Sequence, residues 1–197
     1  MSEDLKETTV TNAFRTGERV VLRPLEVEEA PLLQRWVNDP EVHRFLYRFR
    51  PVSLTEERQW LGKLHEQPEE FVFGIALREG GRLIGSCGLH RVSLPNRAAE
   101  LGILIGDREE QGKGFGSEAI RLLLDYGFGT LGLHRVWLVV YENNDRGIRC
   151  YEKIGFQREG IRREARWSAG RWWDALEYSI LEQEWPGKAS LPRNAAP

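Results

Sequence analysis

The stretch from Leu101 to Phe156 constrains this chain more than any other: LGILIGDREEQGKGFGSEAIRLLLDYGFGTLGLHRVWLVVYENNDRGIRCYEKIGF. An apolar run, a glycine-rich turn, an amphipathic segment, a second apolar run and a short capped segment follow one another with little spare chain. By period they read as strand, turn, helix, strand and helix. The turn Gln111-Gly112-Lys113-Gly114-Phe115-Gly116 frees several backbone N–H groups to converge on one point. The helix that starts at once adds its own unpaired first-turn amides and its dipole. Such a nest binds phosphate or pyrophosphate with little need of side chains.

Three glycine-rich patterns compete for that turn. A Walker P-loop places four residues between its first glycine and Gly-Lys-Ser/Thr. Here five residues separate Gly106 from Gly112-Lys113, and Gly114 stands where the metal-binding hydroxyl belongs. A dinucleotide fingerprint needs GxGxxG directly after a strand and an acid about 20 residues on. Gly112 and Gly114 fit its first two places and Glu142 is a tolerable acid, but Ser117 replaces the third glycine. The charged insert Asp107-Arg108-Glu109-Glu110 also separates strand from glycines, and no opening βαβ unit precedes it.

The third pattern is carried by two linked motifs. Gln111-x-x-Gly114-x-Gly116 resembles the Q/R-x-x-G-x-G/A signature of the GCN5-related N-acetyltransferases (GNAT), which cradles the pyrophosphate of acetyl-CoA. Asn144-Asp145-Arg146-Gly147-Ile148, then Tyr151-Glu152-Lys153-Ile154-Gly155-Phe156, is similar to that superfamily's second signature, with Gly147 at the usual alanine. The resemblance extends over residues 18 to 185 and is nearest to the branch of RimJ/RimL-type ribosomal-protein N-terminal acetyltransferases.

At 197 residues the chain is long enough for one domain with an adequate core. We divide it into a polar N-terminal extension (1–16), the domain proper (17–185) and an expected flexible C-terminal tail (186–197). A net charge of −2 with both signs mixed gives no electrostatic reason to expect nucleic acid as partner. No apolar run approaches the ~20 residues that span a bilayer, so no membrane role is expected, and the N-terminus lacks the pattern of a signal peptide. Two cysteines, Cys87 and Cys150, support neither a disulfide framework nor a four-ligand zinc site. A reduced, cytoplasmic enzyme without a metal is the simplest fit. Oligomeric state stays open, since strand edges and surface aromatics are compatible with a homodimer.

Along the chain, residues 18–23 read as a first strand ended by Pro24, and residues 27–36 as a helix with Leu32, Leu33 and Trp36 on one stripe. Asn38-Asp39-Pro40 breaks it, and Ser53-Leu54-Thr55-Glu56 is a capping box that opens a second helix to about residue 66. Strands follow over residues 71–77, 82–92 and 99–105, then the helix from Gly116 to Gly129 with Ala119, Leu122, Leu123 and Tyr126 on its core stripe. Residues 135–141 are a nearly continuous apolar strand suited to the centre of a sheet. Asn144 caps the short helix that Gly155 ends, and residues 157–166 and 171–181 form a closing hairpin. The fold class is α/β (α+β): a mixed, mostly antiparallel sheet of about seven strands flanked by about four helices.

The resemblance implies acetyl-CoA as cosubstrate, held in a splayed gap between the strands at 99–105 and 135–141. Backbone of Ile103, Leu104 and Ile105 is then expected at the thioester. Gln111, Gly112, Lys113, Gly114, Phe115, Gly116 and Ser117 are expected at the pyrophosphate, and Asn144 at the pantetheine arm. Lys113 reads equally as a solvated loop lysine. Tyr151 matches the family tyrosine placed as general acid for the departing thiolate; the plain alternative is a packed helix aromatic. Glu100 is the candidate base, or simply a strand-edge carboxylate. An α-amine with a pKa near 7.8 costs only ~1 kcal/mol to neutralise at pH 7, against ~4.6 kcal/mol for a lysine or polyamine amine near 10.4. Adjacent helix positions point ~100° apart, which separates Cys150 from Tyr151 and argues against an acyl-cysteine route. His43, His65, His90 and His134 lack metal-ligand spacing. The connector between the first two helices, with Phe45, Tyr47 and Phe49 among arginines, corresponds to the family's acceptor overhang. One of Trp172 and Trp173 is expected to face the acceptor groove, with Asp174, Arg162 and Arg163 as further candidates. The expected activity is acetyl transfer by direct attack in a ternary complex, with a protein or peptide N-terminal α-amine as acceptor. A small-molecule amine (polyamine, aminoglycoside or other antibiotic) and a non-catalytic acyl-CoA-binding module remain the alternatives.

Overall fold

A computed structural model describes residues 12–187. The strands are β1 (Arg15–Thr16), β2 (Val20–Arg23), β3 (Phe71–Leu77), β4 (Leu83–Ser93), β5 (Ala98–Ile105), β6 (Arg135–Tyr141), β7 (Gln157–Ser168) and β8 (Arg171–Leu181). The helices are α1 (Ala30–Asn38), α2 (Pro40–His43), α3 (Leu54–Lys63), α4 (Phe115–Gly129) and α5 (Asp145–Ile154). The strands form one sheet in the order β1-β2-β3-β4-β5-β6-β8-β7. Every pairing is antiparallel except β5 with β6.

Local signals set most boundaries. Ser53 accepts from the Glu56 amide while Glu56 returns a bond to the Ser53 amide, which starts α3 as the capping box requires. Asn144 Oδ1 accepts from the Gly147 amide, and Gly155 ends α5 in the left-handed region at φ +114°. The break at Asn38-Asp39-Pro40 holds, but Asp39 then caps and Pro40 opens the short α2. The sheet also begins earlier than expected. Arg15–Thr16 pairs with β2, and Phe14 stacks on Phe73 at 5.1 Å, so these residues belong to the fold and not to a loose extension. The remainder of that extension and nearly all of the C-terminal tail lie outside the described residues.

Alternation divides the two central strands between two faces. Ala99 and Leu101 of β5, with Val136, Leu138 and Val140 of β6, bury against α4 and α5 in the main core, beside Ile120, Leu123 and Leu124. On the other face Leu104 packs with Ala30, Leu33, Trp36 and Leu61 beneath α1 and α3. Five helices and eight strands therefore form three layers, and the parallel pair runs through the middle one.

Candidate functional site

The parallel pairing of β5 with β6 covers only residues 98–100 against 135–137. Beyond Glu100 the strands part, and the edge of β5 facing β6 has no strand partner. A cavity of about 500 Å³ fills the gap. It is lined by β5 from Glu100 to Ile105, by Trp137 and residues 139–141 of β6, by Asn144, Arg146 and Tyr151 around α5, and by Gln111. Glu41, Val42, Phe45, Leu46 and Tyr47 cover it from α2 and the following connector, and Arg91 and Arg162 stand at its wall. Because both sheet faces contribute, the gap joins a side under α4 and α5 to a chamber under α1 and α2.

Of the residues expected at the site, the cavity gathers Tyr151, Glu100, Ile103, Leu104, Ile105, Gln111 and Asn144. Gly112, Lys113, Gly114, Phe115, Gly116 and Ser117 lie outside its lining, in the loop that continues from Gln111. Gly114 precedes α4 at φ +89°, a conformation that only glycine adopts without strain. No hydrogen bond engages the amides from Gly112 through Ser117 among the described residues, and Gly112, Lys113 and Gly114 are exposed. These orphaned donors at the start of a 15-residue helix fit a pyrophosphate.

The turn is held from outside by Arg19, a residue the sequence reading did not single out. Its guanidinium donates to the Lys113 carbonyl (3.0 Å) and lies 4.9 Å from the Phe115 ring centroid. Glu118 of α4 accepts in return from the Arg19 and Val20 amides. Lys113 itself pairs with Glu110 at 2.9 Å, and Arg82 also reaches that carboxylate. Ser117 Oγ lies 3.1 Å from Cys150 Sγ, which joins α4 to α5.

Gln111 bridges the two motifs: its Nε2 donates to the Ile105 carbonyl (2.7 Å), and its Oε1 accepts from Arg146 (2.8 Å). A side chain thus closes the ladder of β5 where β6 has diverged. Asn144 lines the cavity while capping α5. A Cβ on Gly147 would stand 2.8 Å from Asn144 Nδ2, so glycine at the usual alanine leaves that amide room. Tyr151 packs edge-on against Phe156, and burial pushes its phenol well up, with Cys150 adding to the shift. Its hydroxyl therefore keeps its proton at physiological pH. Glu100 Oε2 meets Arg91 at 2.9 Å on the chamber wall.

The tryptophan expectation is corrected. Neither Trp172 nor Trp173 lines the cavity; the registered pairing of β8 with β6 stops at Ala175, so the hairpin tip runs past the groove. There Trp172 packs on Trp167, and Trp173 donates to the Ser168 carbonyl beneath Arg171. The tryptophan of the site is Trp137. Asp174 accepts from the Glu164 amide as a hairpin brace, and of the arginine pair only Arg162 reaches the cavity, where it pairs with Glu177. The four histidines form no metal cluster among the described residues.

Tyr141 was missed because its segment reads as plain strand. Its hydroxyl is buried, its ring stacks on Tyr47 at 5.9 Å, and the Arg166 guanidinium lies 4.6 Å from the ring centroid. Burial pushes this phenol up, against the opposing pull of Arg166.

Comparisons with known proteins agree with this geometry. Residues 19–157 match the model of the acetyltransferase (GNAT) domain. The uncharacterized N-acetyltransferase p20 of Bacillus licheniformis is 35% identical over 173 residues, covering 86% of this chain and 97% of its own. Spermidine N(1)-acetyltransferase of Escherichia coli K12 is 29% identical, covering 90% and 94%. YdaF of Bacillus subtilis, named as a candidate ribosomal N-acetyltransferase, is 30% identical, covering 88% and 97%. The solved structure of spermidine N-acetyltransferase from Vibrio cholerae in complex with CoA and spermine superimposes with a TM-score of 0.79 at 29% identity, covering 85% of this chain and 98% of that one. On these matches, this chain belongs to the GNAT acetyltransferases and is an acetyl-CoA-dependent N-acetyltransferase.

Proposed function

We propose that the chain acetylates a primary α-amine at a protein or peptide N-terminus, by direct attack within a ternary complex. One observation carries the choice of acceptor: the two carboxylates that line the chamber, Glu41 and Glu100, are each paired within the chain, to Arg44 at 3.3 Å and to Arg91 at 2.9 Å. Arg91 and Arg162 on the same wall are themselves paired, with Glu100 and with Glu177. A polycation gains little from such a surface, because every negative charge already has its partner.

Bound acetyl-CoA supplies the activated acetyl thioester. The free edge of β5 from Leu101 to Ile105 positions an extended ligand as an added strand. The Gly112–Ser117 amides receive its phosphates. The connector from Phe45 to Tyr47 excludes water from the gap. Glu100, on the chamber face, takes a proton from the incoming amine directly or through water, and Tyr151 Oη gives one to the departing sulfur. An α-amine asks little of that base, since it is partly neutral already near pH 7. The free thiols Cys87 and Cys150 suit a reduced, cytoplasmic setting.

A polyamine acceptor is the second reading, favoured by the spermidine acetyltransferases among the relatives. Free-thiol release from acetyl-CoA decides between them. We expect turnover with short peptides bearing free N-termini and none with the same peptides N-blocked but carrying lysine. Turnover with spermidine alone would replace the first reading by the second.

A further inference from the structure

Lys113 stands between Gly112 and Gly114, both at positive φ (+78° and +89°). Glycine adopts either sign of φ about equally, so the Lys113–Gly114 peptide is little restricted by its own residues. Rotating it by half a turn would exchange the places of the Lys113 carbonyl and the Gly114 N–H. One arrangement presents a donor to an anion in the turn, the other an oxygen. No backbone N–H bonds to the Lys113 carbonyl among the described residues; its partner is Arg19 Nη1, at 3.0 Å. The guanidinium is held in turn. Its Nε donates to Glu118 Oε2 at 3.2 Å, and its carbon lies 4.9 Å from the Phe115 ring centroid. The Arg19 main chain is fixed as well: its amide donates to Glu118 Oε1 at 2.8 Å, and its carbonyl accepts from the Arg78 amide at 2.8 Å. The sheet and α4, and not the turn, therefore set where this guanidinium stands.

We propose that Arg19 is a positioning residue for acetyl-CoA: by holding the Lys113 carbonyl on its own side, it turns the Gly114 N–H to the opposite side as a ligand of the pyrophosphate. In a planar trans peptide the carbonyl and the following N–H point in opposite directions, so fixing one fixes the other. The described residues contain no cis peptide. Arg19 thus acts through the main chain and need not touch the cosubstrate. Without this clamp the turn is shared between two orientations, and only the fraction with the N–H turned inward binds tightly. The apparent affinity falls by that fraction. The inference concerns the cosubstrate alone and holds for either acceptor.

The test compares Arg19→Met, which keeps an apolar stem beside Phe115 and removes every side-chain donor, with Arg19→Lys, which keeps a cation and a donor. Dissociation constants are measured by calorimetry for CoA, 3′-dephospho-CoA and pantetheine, with the melting temperature as a control of folding. We expect Arg19→Met to weaken CoA and 3′-dephospho-CoA alike, by about tenfold, with pantetheine unchanged. In turnover the loss should appear in the acetyl-CoA KM and not in kcat. Arg19→Lys should recover part of it. If Arg19→Met does not fold, a rise of about threefold in Arg19→Lys, for both phosphate-bearing ligands and not for pantetheine, supports the same assignment. Wild-type CoA affinity in a folded Arg19→Met variant overturns the inference. So does a loss confined to CoA, which would make Arg19 a direct ligand of the 3′-phosphate. An equal loss for pantetheine also overturns it, because the whole groove would then have been disturbed.

Discussion

The two sides of the gap between β5 and β6 are built in different ways. On the side under α4 and α5, the groups proposed to hold acetyl-CoA are mostly backbone: the amides of Gly112–Ser117 and the unpaired edge of β5, with Asn144 and Gln111 beside them. All of this comes from one run of chain between Leu101 and Tyr151. The chamber side is made of side chains from distant segments: Tyr47 from the connector, Arg91 from β4, Trp137 and Tyr141 from β6, and Arg162 and Arg166 from β7. A ligand common to a whole family can be met by backbone, which any side-chain drift preserves. An acceptor that varies must be met by side chains, which can change without moving the sheet.

Substitutions on the two sides should separate accordingly. The largest effect is expected for Tyr151→Phe, which removes the proposed proton donor: kcat should fall by roughly 10²-fold or more for every acceptor, with little change in acetyl-CoA affinity. Loss confined to one acceptor class would place Tyr151 on the chamber side instead. Next, Gly114→Ala puts a Cβ on a residue at φ +89°, at a strain of roughly 1–2 kcal/mol. The acetyl-CoA KM should rise about tenfold while the ranking of acceptors stays the same; an altered ranking would break the division between the sides.

The smallest effect belongs to neither side. Glu159 accepts from Arg135 and from Ser179, and the Arg135 hydrogen bond leads in holding its carboxyl down to about 2. The folded value lies below the unfolded one near 4.3, so this stabilisation is present above about pH 4.3 and is lost as pH falls toward 2. Glu159→Gln should therefore melt slightly lower than wild type at pH 7 and converge with it in acid. The side chain is 42% exposed, so solvent screening keeps the difference small. Selectivity should not move, which makes this variant the control for both sides.

What could be read beforehand follows the same division. Ser53, Asn144 and Gly155 act on their own neighbours, so the ends of α3 and α5 were visible in the chain. The turn after β5 was visible for the same reason. Phe14 and Arg15 were not, because their place in the sheet depends on Phe73 and on β2. Trp172 and Trp173 were misjudged because strand alternation gives a side but not how far a hairpin overshoots its neighbour.

The sequence alone determined most of the order of elements, the glycine-rich turn before α4 and the class of cofactor, since these depend on contacts between residues a few positions apart. Only the tertiary structure decided that Arg19 braces the turn and that Arg166 comes to lie over the Tyr141 ring. Those facts depend on chain segments 25 to 94 residues apart being brought within a few ångströms, as Tyr141 to Arg166 and Arg19 to Lys113 are. No local period encodes such distances; they are set by the packing of the sheet as a whole.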